Sequence, residues 1–147
     1  MAFTGPLEDR ILIRELLDTY AHAVMTRDAE TWASTWAEDS YWALPEFPDL
    51  GGFTGKETIV SAWVESMKNY GLGGNAAKPM VYVAHPGEIR VDGDRASAIS
   101  YTSEIFEDPA SGKTMRLRGR YVDELAKADG QWRFTRREYT TFDARED

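Results

Sequence analysis

Glu88-Ile89-Arg90-Val91-Asp92-Gly93-Asp94-Arg95-Ala96-Ser97-Ala98-Ile99-Ser100 is the stretch on which the fold turns. Apolar and polar residues alternate on both sides of an Asp-Gly dipeptide, the pattern of two antiparallel strands joined by a tight loop. The strands extend outward from that turn, over Met80–Val91 and Arg95–Glu107. The same grammar continues downstream. A turn at Asp108-Pro109-Ala110-Ser111-Gly112 leads to a strand over Lys113–Lys127, and Ala128-Asp129-Gly130 leads to another over Gln131–Phe142.

Upstream the period changes from two to 3.6. Ile13, Leu16, Leu17, Tyr20 and Val24 form one stripe, which predicts a helix from about Leu7 to Arg27. Asp28 then reads as the N-cap of a short second helix carrying Trp32 and Trp36, because its carboxylate can accept the free amides of a first turn. Ser40 to Leu44 reads as a strand stopped by Pro45 and Pro48, since proline interrupts a hydrogen-bonding ladder. Asp49 to Gly55 reads as a loop. A third helix near Lys56 to Tyr70 sets Ile59, Trp63 and Met67 on one face. Gly71-Leu72-Gly73-Gly74-Asn75 reads as a flexible connection or a lid. Helices first and a meander afterwards is an α+β order. The expected architecture is a single domain over residues 1–147, with a curved antiparallel sheet wrapped around the N-terminal helices as a cone with an apolar mouth.

Composition narrows the function classes. The chain has 147 residues, enough for one domain with a substantial core. Its net charge of −8 argues against a nucleic-acid surface, and no basic patch suits an anionic membrane. The absence of cysteine excludes disulfides, thiolate nucleophiles and zinc–thiolate sites, and two histidines make a histidine-rich metal site unexpected. The N-terminal Met-Ala-Phe-Thr-Gly-Pro-Leu-Glu-Asp-Arg lacks both a basic start and an apolar run, so a cytoplasmic protein with no signal peptide or membrane span is expected. Aromatic residues make up 12% of the chain, which would suit a pocket for rings.

Four segments resemble the SnoaL-like branch of the nuclear transport factor 2-like superfamily. They are Leu16 to Asp39, Tyr41-Trp42-Ala43-Leu44-Pro45 through Gly55-Lys56-Glu57, Glu88 to Ala96, and Gly119-Arg120-Tyr121-Val122-Asp123-Glu124 through Gly130-Gln131-Trp132-Arg133-Phe134. The resemblance implies the cone-shaped α+β fold, a homodimer or homotrimer, and in many members a cofactor-free reaction on a hydrophobic ring compound. Members include dehydratases, isomerases, a dehydrochlorinase, epoxide hydrolases, polyketide cyclases, and lyases that cleave lignin-type diaryl diols with loss of formaldehyde. Others only bind or assemble, so the fold does not decide function.

Dehydratase-type members carry a tyrosine and an aspartate on the first helix, a histidine on the first long strand and a carboxylate on the next. Tyr20 matches the tyrosine and Glu104 stands at the carboxylate. Met25 replaces the aspartate and Tyr82 the histidine, so an aspartate–histidine mechanism is not implied. His85 lies three residues beyond Tyr82, where one such dehydratase also has a histidine. Arg137 falls where the dehydrochlorinase has a pocket arginine.

The residues themselves leave alternatives. Glu104 could be a general base whose pKa rises inside an apolar cone, or an exposed carboxylate paired with Arg116 or Arg118. Tyr82 and Tyr20 could donate to a carbonyl, ether or oxyanion, or be core residues with satisfied hydroxyls. His85 could act as acid or base, or be structural at the kink before Pro86-Gly87. Arg137 could stabilise an anion with its forked donors, but Arg136 stands beside it, and a regular strand turns one of the two outward. Met25 and Val24 suggest an apolar wall, extended by Trp42, Trp63 and Tyr101. His22 lies opposite the apolar stripe and reads as solvated. The leading expectation is a cofactor-free lyase, dehydratase or isomerase for hydroxylated aromatic or polycyclic compounds. A ligand-binding protein without catalysis, and an oligomerisation module with a filled cone, are the rivals.

Overall fold

The computed structural model describes residues 1–45, 51–68, 80–108 and 110–147. In chain order the elements are β1 (Phe3–Thr4), α1 (Leu7–Thr26), α2 (Ala29–Ser34), β2 (Trp36–Ala43), β3 (Gly52–Thr54), α3 (Lys56–Met67), β4 (Val81–Asp92), β5 (Arg95–Glu107), β6 (Thr114–Ala128) and β7 (Gln131–Glu146). One sheet holds all the strands in the order β1-β4-β5-β6-β7-β2-β3. Its centre, β4 to β7, is the expected antiparallel meander. The flanks differ from a purely antiparallel sheet: β1 runs parallel to β4, and β2 parallel to β7.

Both two-residue hairpins follow from their loop residues. Asp92 pairs with Arg95 across Gly93-Asp94, and Ala128 with Gln131 across Asp129-Gly130. Asp129 and Gly130 both take positive φ, 53° and 75°. A type I′ turn needs that conformation, which matches the twist of the flanking strands.

Helix α1 ends where Arg27 takes a left-handed conformation and the Asp28 amide donates to the Ala23 carbonyl at 2.9 Å. Asp28 caps α2 as expected, accepting from the Thr31 amide at 3.1 Å. Trp36 is not on that helix. The Phe134 amide donates to the Thr35 carbonyl, so the chain leaves α2 at Thr35 and Trp36 enters β2 beside β7. The loop expected before α3 contains the short strand β3, paired with β2. Helix α3 buries Ile59, Trp63 and Met67, as its spacing predicts. The glycine-rich run Gly71 to Asn75 and Pro48 lie outside the described residues.

The core lies between α1, α2, α3 and the concave sheet face, and it is built on rings. Trp32 and Trp63 stack 4.4 Å apart at 9°, joining α2 to α3. Tyr20 contacts the rings of Trp32, Trp36, Tyr82, Tyr121 and Phe134. Each such pair adds about 0.5–1.5 kcal/mol beyond area burial. Asp9 accepts from Lys127 Nζ and Trp132 Nε1, both at 3.0 Å, and ties the start of α1 to the far end of the meander.

Within the β4–β7 meander, three irregularities among the described residues decide which side chains face inward. The β5–β6 ladder has none, so Ala98, Ser100, Thr102 and Glu104 share the concave face with Tyr121, Asp123 and Leu125. In β4, Gly87 is an extra residue between Pro86 and Glu88. In β7, Thr135 is an extra residue between Phe134 and Arg136, and Phe142 another between Thr141 and Asp143. A single inserted residue reverses the side-chain phase beyond it.

Candidate functional site

A cavity of about 700 Å³ opens between the helices and the meander. Helix α1 contributes Tyr20 and Val24; β2 and β3 contribute Trp42 and Phe53, with Leu44 just past β2. Helix α3 adds Trp63 and Met67 and, at its solvent-exposed edge, Glu65 and Ser66. Met80 and Tyr82 come from the start of β4, Glu104 and Phe106 from β5, Leu117 and Tyr121 from β6, and Tyr139 from β7. The size is that of a small-molecule site, and the walls are mostly apolar and aromatic. An oligomerisation module with a filled cone does not describe this interior.

Glu104 is half-buried in those walls, and is the more enclosed of the two carboxyls that line them, since Glu65 is exposed. It sits opposite Tyr82 on β4 and Leu117 on β6. Burial pushes its pKa from 4.5 up to about 7, because apolar surroundings disfavour the carboxylate. The arginines that could have held it at the surface are engaged on the other face. Arg118 grips Asp143 through Nε and Nη2 at 2.8 and 2.6 Å, and Arg116 donates to Asp147 at 2.7 Å. Among the described residues, Glu104 has no hydrogen bond or ion pair.

Tyr82 is 4% exposed and its hydroxyl has no partner among the described residues. Burial pushes that phenol well above its ordinary pKa, so it is a donor rather than a phenolate at neutral pH. The Trp42 indole N–H, also on the cavity wall, is likewise unpartnered there. Tyr20 and Tyr121 meet hydroxyl to hydroxyl at 3.4 Å. Tyr139 accepts from Thr102 Oγ1 at 3.4 Å. A Cβ at Gly119 would collide with the Tyr139 phenol and the Thr140 carbonyl, so this close approach requires glycine.

Arg137 faces inward, and Arg136 outward onto Glu138 and the Tyr41 ring. Yet Arg137 does not reach the cavity. It is fully buried behind the wall, donating through Nε at 2.7 Å and Nη2 at 3.1 Å to Asp123. Its guanidinium carbon lies 3.7, 4.3 and 4.1 Å from the ring centres of Tyr121, Tyr20 and Phe134. Burial works against its charge, but Asp123 and the surrounding tyrosines more than offset this and hold its pKa above the ordinary arginine value.

Besides Arg137, three expected residues are not in the cavity. His85 is exposed on the convex face, because it lies three residues from Tyr82 in a regular stretch of strand and so points the opposite way. Tyr101 is 45% exposed for the same reason, three residues from Glu104, and pairs with Phe142 across the outer surface. Met25 is one helical position past Val24, turned about 100° from it. It packs against the core without lining the cavity. Tyr20, Val24, Trp42, Trp63, Tyr82 and Glu104 do converge there. Sequence reading missed Tyr121, Asp123 and Tyr139. The alternation Tyr121–Asp123–Leu125 could have suggested an inward carboxylate needing a cationic partner.

A cone of helices against a long meander, enclosing an aromatic cavity with a buried carboxyl, defines a class of small pocket-forming α+β domains. Residues 5–138 match the model of the SnoaL-like domain, and the chain belongs to that family. Several solved structures are similar. One is a candidate scytalone dehydratase from Novosphingobium aromaticivorans, with 23% identity, a TM-score of 0.76, and coverage of 96% of this chain and 89% of that one. Another is the LinA-type3 hexachlorocyclohexane dehydrochlorinase of Novosphingobium barchaimii, with 18% identity, a TM-score of 0.73, and coverage of 96% and 91%. A third is a nuclear transport factor 2-like protein with a cystatin-like fold from Novosphingobium aromaticivorans, with 25% identity, a TM-score of 0.72, and coverage of 93% and 84%. No curated protein matches the sequence significantly. No described helix is long and apolar enough to cross a membrane.

Proposed function

We propose that this protein is a lyase, dehydratase or isomerase that moves protons on a hydrophobic, hydroxylated ring compound using its own side chains. The observation carrying the reading is Glu104: a carboxyl without a partner among the described residues, on an apolar cavity wall, with a pKa of about 7. A base poised near neutrality accepts and returns a proton with little driving-force penalty. Similarity to a candidate scytalone dehydratase and to a dehydrochlorinase supports elimination chemistry as the reaction class.

In a dehydration, Glu104 takes the proton from carbon, the C–H electron pair forms the new double bond, and the adjacent C–O bond breaks. The departing oxygen takes the phenol proton of Tyr82 and leaves as water, and Glu104 passes its new proton to that phenolate, which restores both groups. Tyr82, opposite Glu104, and Tyr20 are the donors to oxygen, and the apolar walls strengthen those contacts by excluding water. Arg137 acts on this chemistry only from behind the rings, and His85 has no part in it. The test is Glu104→Gln assayed against hydroxylated aryl and polycyclic compounds. Turnover should fall by roughly 10²–10⁴-fold, the usual worth of a positioned base; unchanged turnover removes Glu104 from the mechanism.

One observation favours a second reading. No histidine lines the cavity and Met25 stands where an acid–base group would be expected, which suits a binding protein without catalysis. That reading predicts saturable binding of apolar rings by the wild-type protein and no product after prolonged incubation.

A further inference from the structure

The chain supplies a cation to one of its inward carboxyls and none to the other. Asp123 is held by Arg137 through two hydrogen bonds, so that pair is neutral as a whole. Glu104 stands on the cavity wall, and among the described residues no lysine, arginine or histidine lines that wall. Arg116 and Arg118 flank Leu117, the residue opposite Glu104, but are spent on Asp147 and Asp143 at the other face. A carboxyl set among apolar groups without a partner keeps its proton or takes a counter-charge from whatever enters.

The walls favour the same kind of visitor. Eight of the seventeen described residues that line the cavity are aromatic, and the face of a ring carries the negative part of its quadrupole. Trp32 covers one face of Trp63 at 4.4 Å, and it is Trp63, not Trp32, that reaches the cavity. Tyr82 stands opposite Glu104 on β4, and Phe106 follows two residues along β5, so both rings share the wall with the carboxyl. Glu65, the other carboxyl of the lining, is exposed at the edge and bonded to Lys68 at 2.8 Å. An anion would meet ring faces and a carboxyl, all of them repulsive. A cation is attracted by both.

We propose that the ring compound taken by this cavity carries a positively charged nitrogen, as an amine or quaternary ammonium group, seated between the Glu104 carboxylate and the ring faces of the wall. The proposal rests on the cavity being the binding site of the proposed function and narrows its ligand class; it does not depend on the reaction. The Tyr82 hydroxyl and the Trp42 indole N–H, both without a partner among the described residues, remain as donors to an oxygen elsewhere on the same ligand.

The test uses phenyltrimethylammonium and tert-butylbenzene, which share a shape and differ in one atom and one charge. Affinities for both are measured by quenching of tryptophan fluorescence. Glu104→Gln should lower the cation-to-neutral affinity ratio roughly tenfold, the combined worth of the lost ion pair after solvent screening. In the wild type the ratio should follow the ionisation of Glu104, whose pKa is about 7. The titratable groups sharing the cavity with it are the phenols of Tyr20, Tyr82, Tyr121 and Tyr139 and, at the edge, Glu65. Burial pushes Tyr20, Tyr82 and Tyr121 up in pKa, so those phenols stay protonated near neutrality. A cation favours the ionised carboxyl, so its affinity should be low where Glu104 is protonated and rise roughly tenfold from about pH 5.5 to about pH 8. Glu65→Gln should leave that rise in place.

A ratio equal in wild type and Glu104→Gln overturns the proposal, as does a wild-type ratio that ignores pH, a pH response that disappears in Glu65→Gln, or no saturable binding of the cation. Should Glu104→Gln fail to fold, the wild-type ratio against pH decides alone. Affinities are read without turnover, so an inactive protein would sink the proposed reaction and leave this test standing. Binding of tert-butylbenzene with no response of the ratio would sink the charged ligand and leave the cavity as a site for neutral rings.

Discussion

Two carboxyls point inward from neighbouring strands and meet opposite fates. Asp123 on β6 is met by Arg137 across the β7 ladder and by nothing that could admit a ligand. Glu104 on β5 faces open cavity and apolar side chains. Burial raises the pKa of both, but at Asp123 Arg137 acts in the opposite direction. A buried charge needs a partner or a proton. Asp123 has the partner. Glu104 has the proton, held up to about pH 7, and is thereby left free to exchange it. The two carboxyls differ in what stands across the strand: an arginine at Asp123, apolar side chains and open cavity at Glu104.

The largest expected effect comes from removing the partner. Arg137→Met strands Asp123 as an uncompensated buried charge and should destabilise the fold by about 3–5 kcal/mol in chemical denaturation. The double variant with Asp123→Leu should recover most of that loss. Two independent, additive effects would mean the pair is not coupled as its geometry indicates.

Next comes the pH dependence of Glu104. Its pKa is about 7 in the fold and 4.5 ordinarily, so the native state binds the extra proton. Stability is fully present below about pH 4.5 and falls as pH rises to about 7, by up to about 3 kcal/mol. Glu104→Gln should flatten that part of the stability profile and be the more stable protein at pH 8. A wild-type profile matching that of Glu104→Gln would mean the carboxyl is solvated.

Smaller effects calibrate the comparison with exposed groups. Asp28 accepts from both the amide and the hydroxyl of Thr31, and its pKa is lowered by those bonds. Asp28→Ala should cost about 1 kcal/mol, the usual value of a helix cap. His85→Ala, on the convex face, should change stability by less than about 0.5 kcal/mol and leave any turnover intact. A loss of turnover would return His85 to the mechanism.

Much of the fold was legible in order and period. The Asp-Gly loops marked both two-residue hairpins, and the 3.6 spacing found the buried faces of α1 and α3. The site was legible only in part, and two errors could have been avoided. Tyr82 with His85, and Tyr101 with Glu104, are three apart, and a regular strand cannot turn both members of either pair inward. Other features were not readable. Counting back from the Asp129-Gly130 turn, an unbroken ladder would set Arg136 opposite Asp123 and face it inward. The extra residue at Thr135 moves Arg137 into that place.

The amino-acid order alone determined an α+β chain, its hairpin turns, its helix faces and the supply of aromatic and carboxyl groups, because those follow from local geometry and short-range periodicity. Tertiary structure decided the phase of the strands beyond each inserted residue, the opening of a cavity, and the pairing of Arg137 with Asp123 and not with Glu104. Such outcomes depend on how distant strands align and on how well bulky rings fill the interior, and no local pattern encodes either.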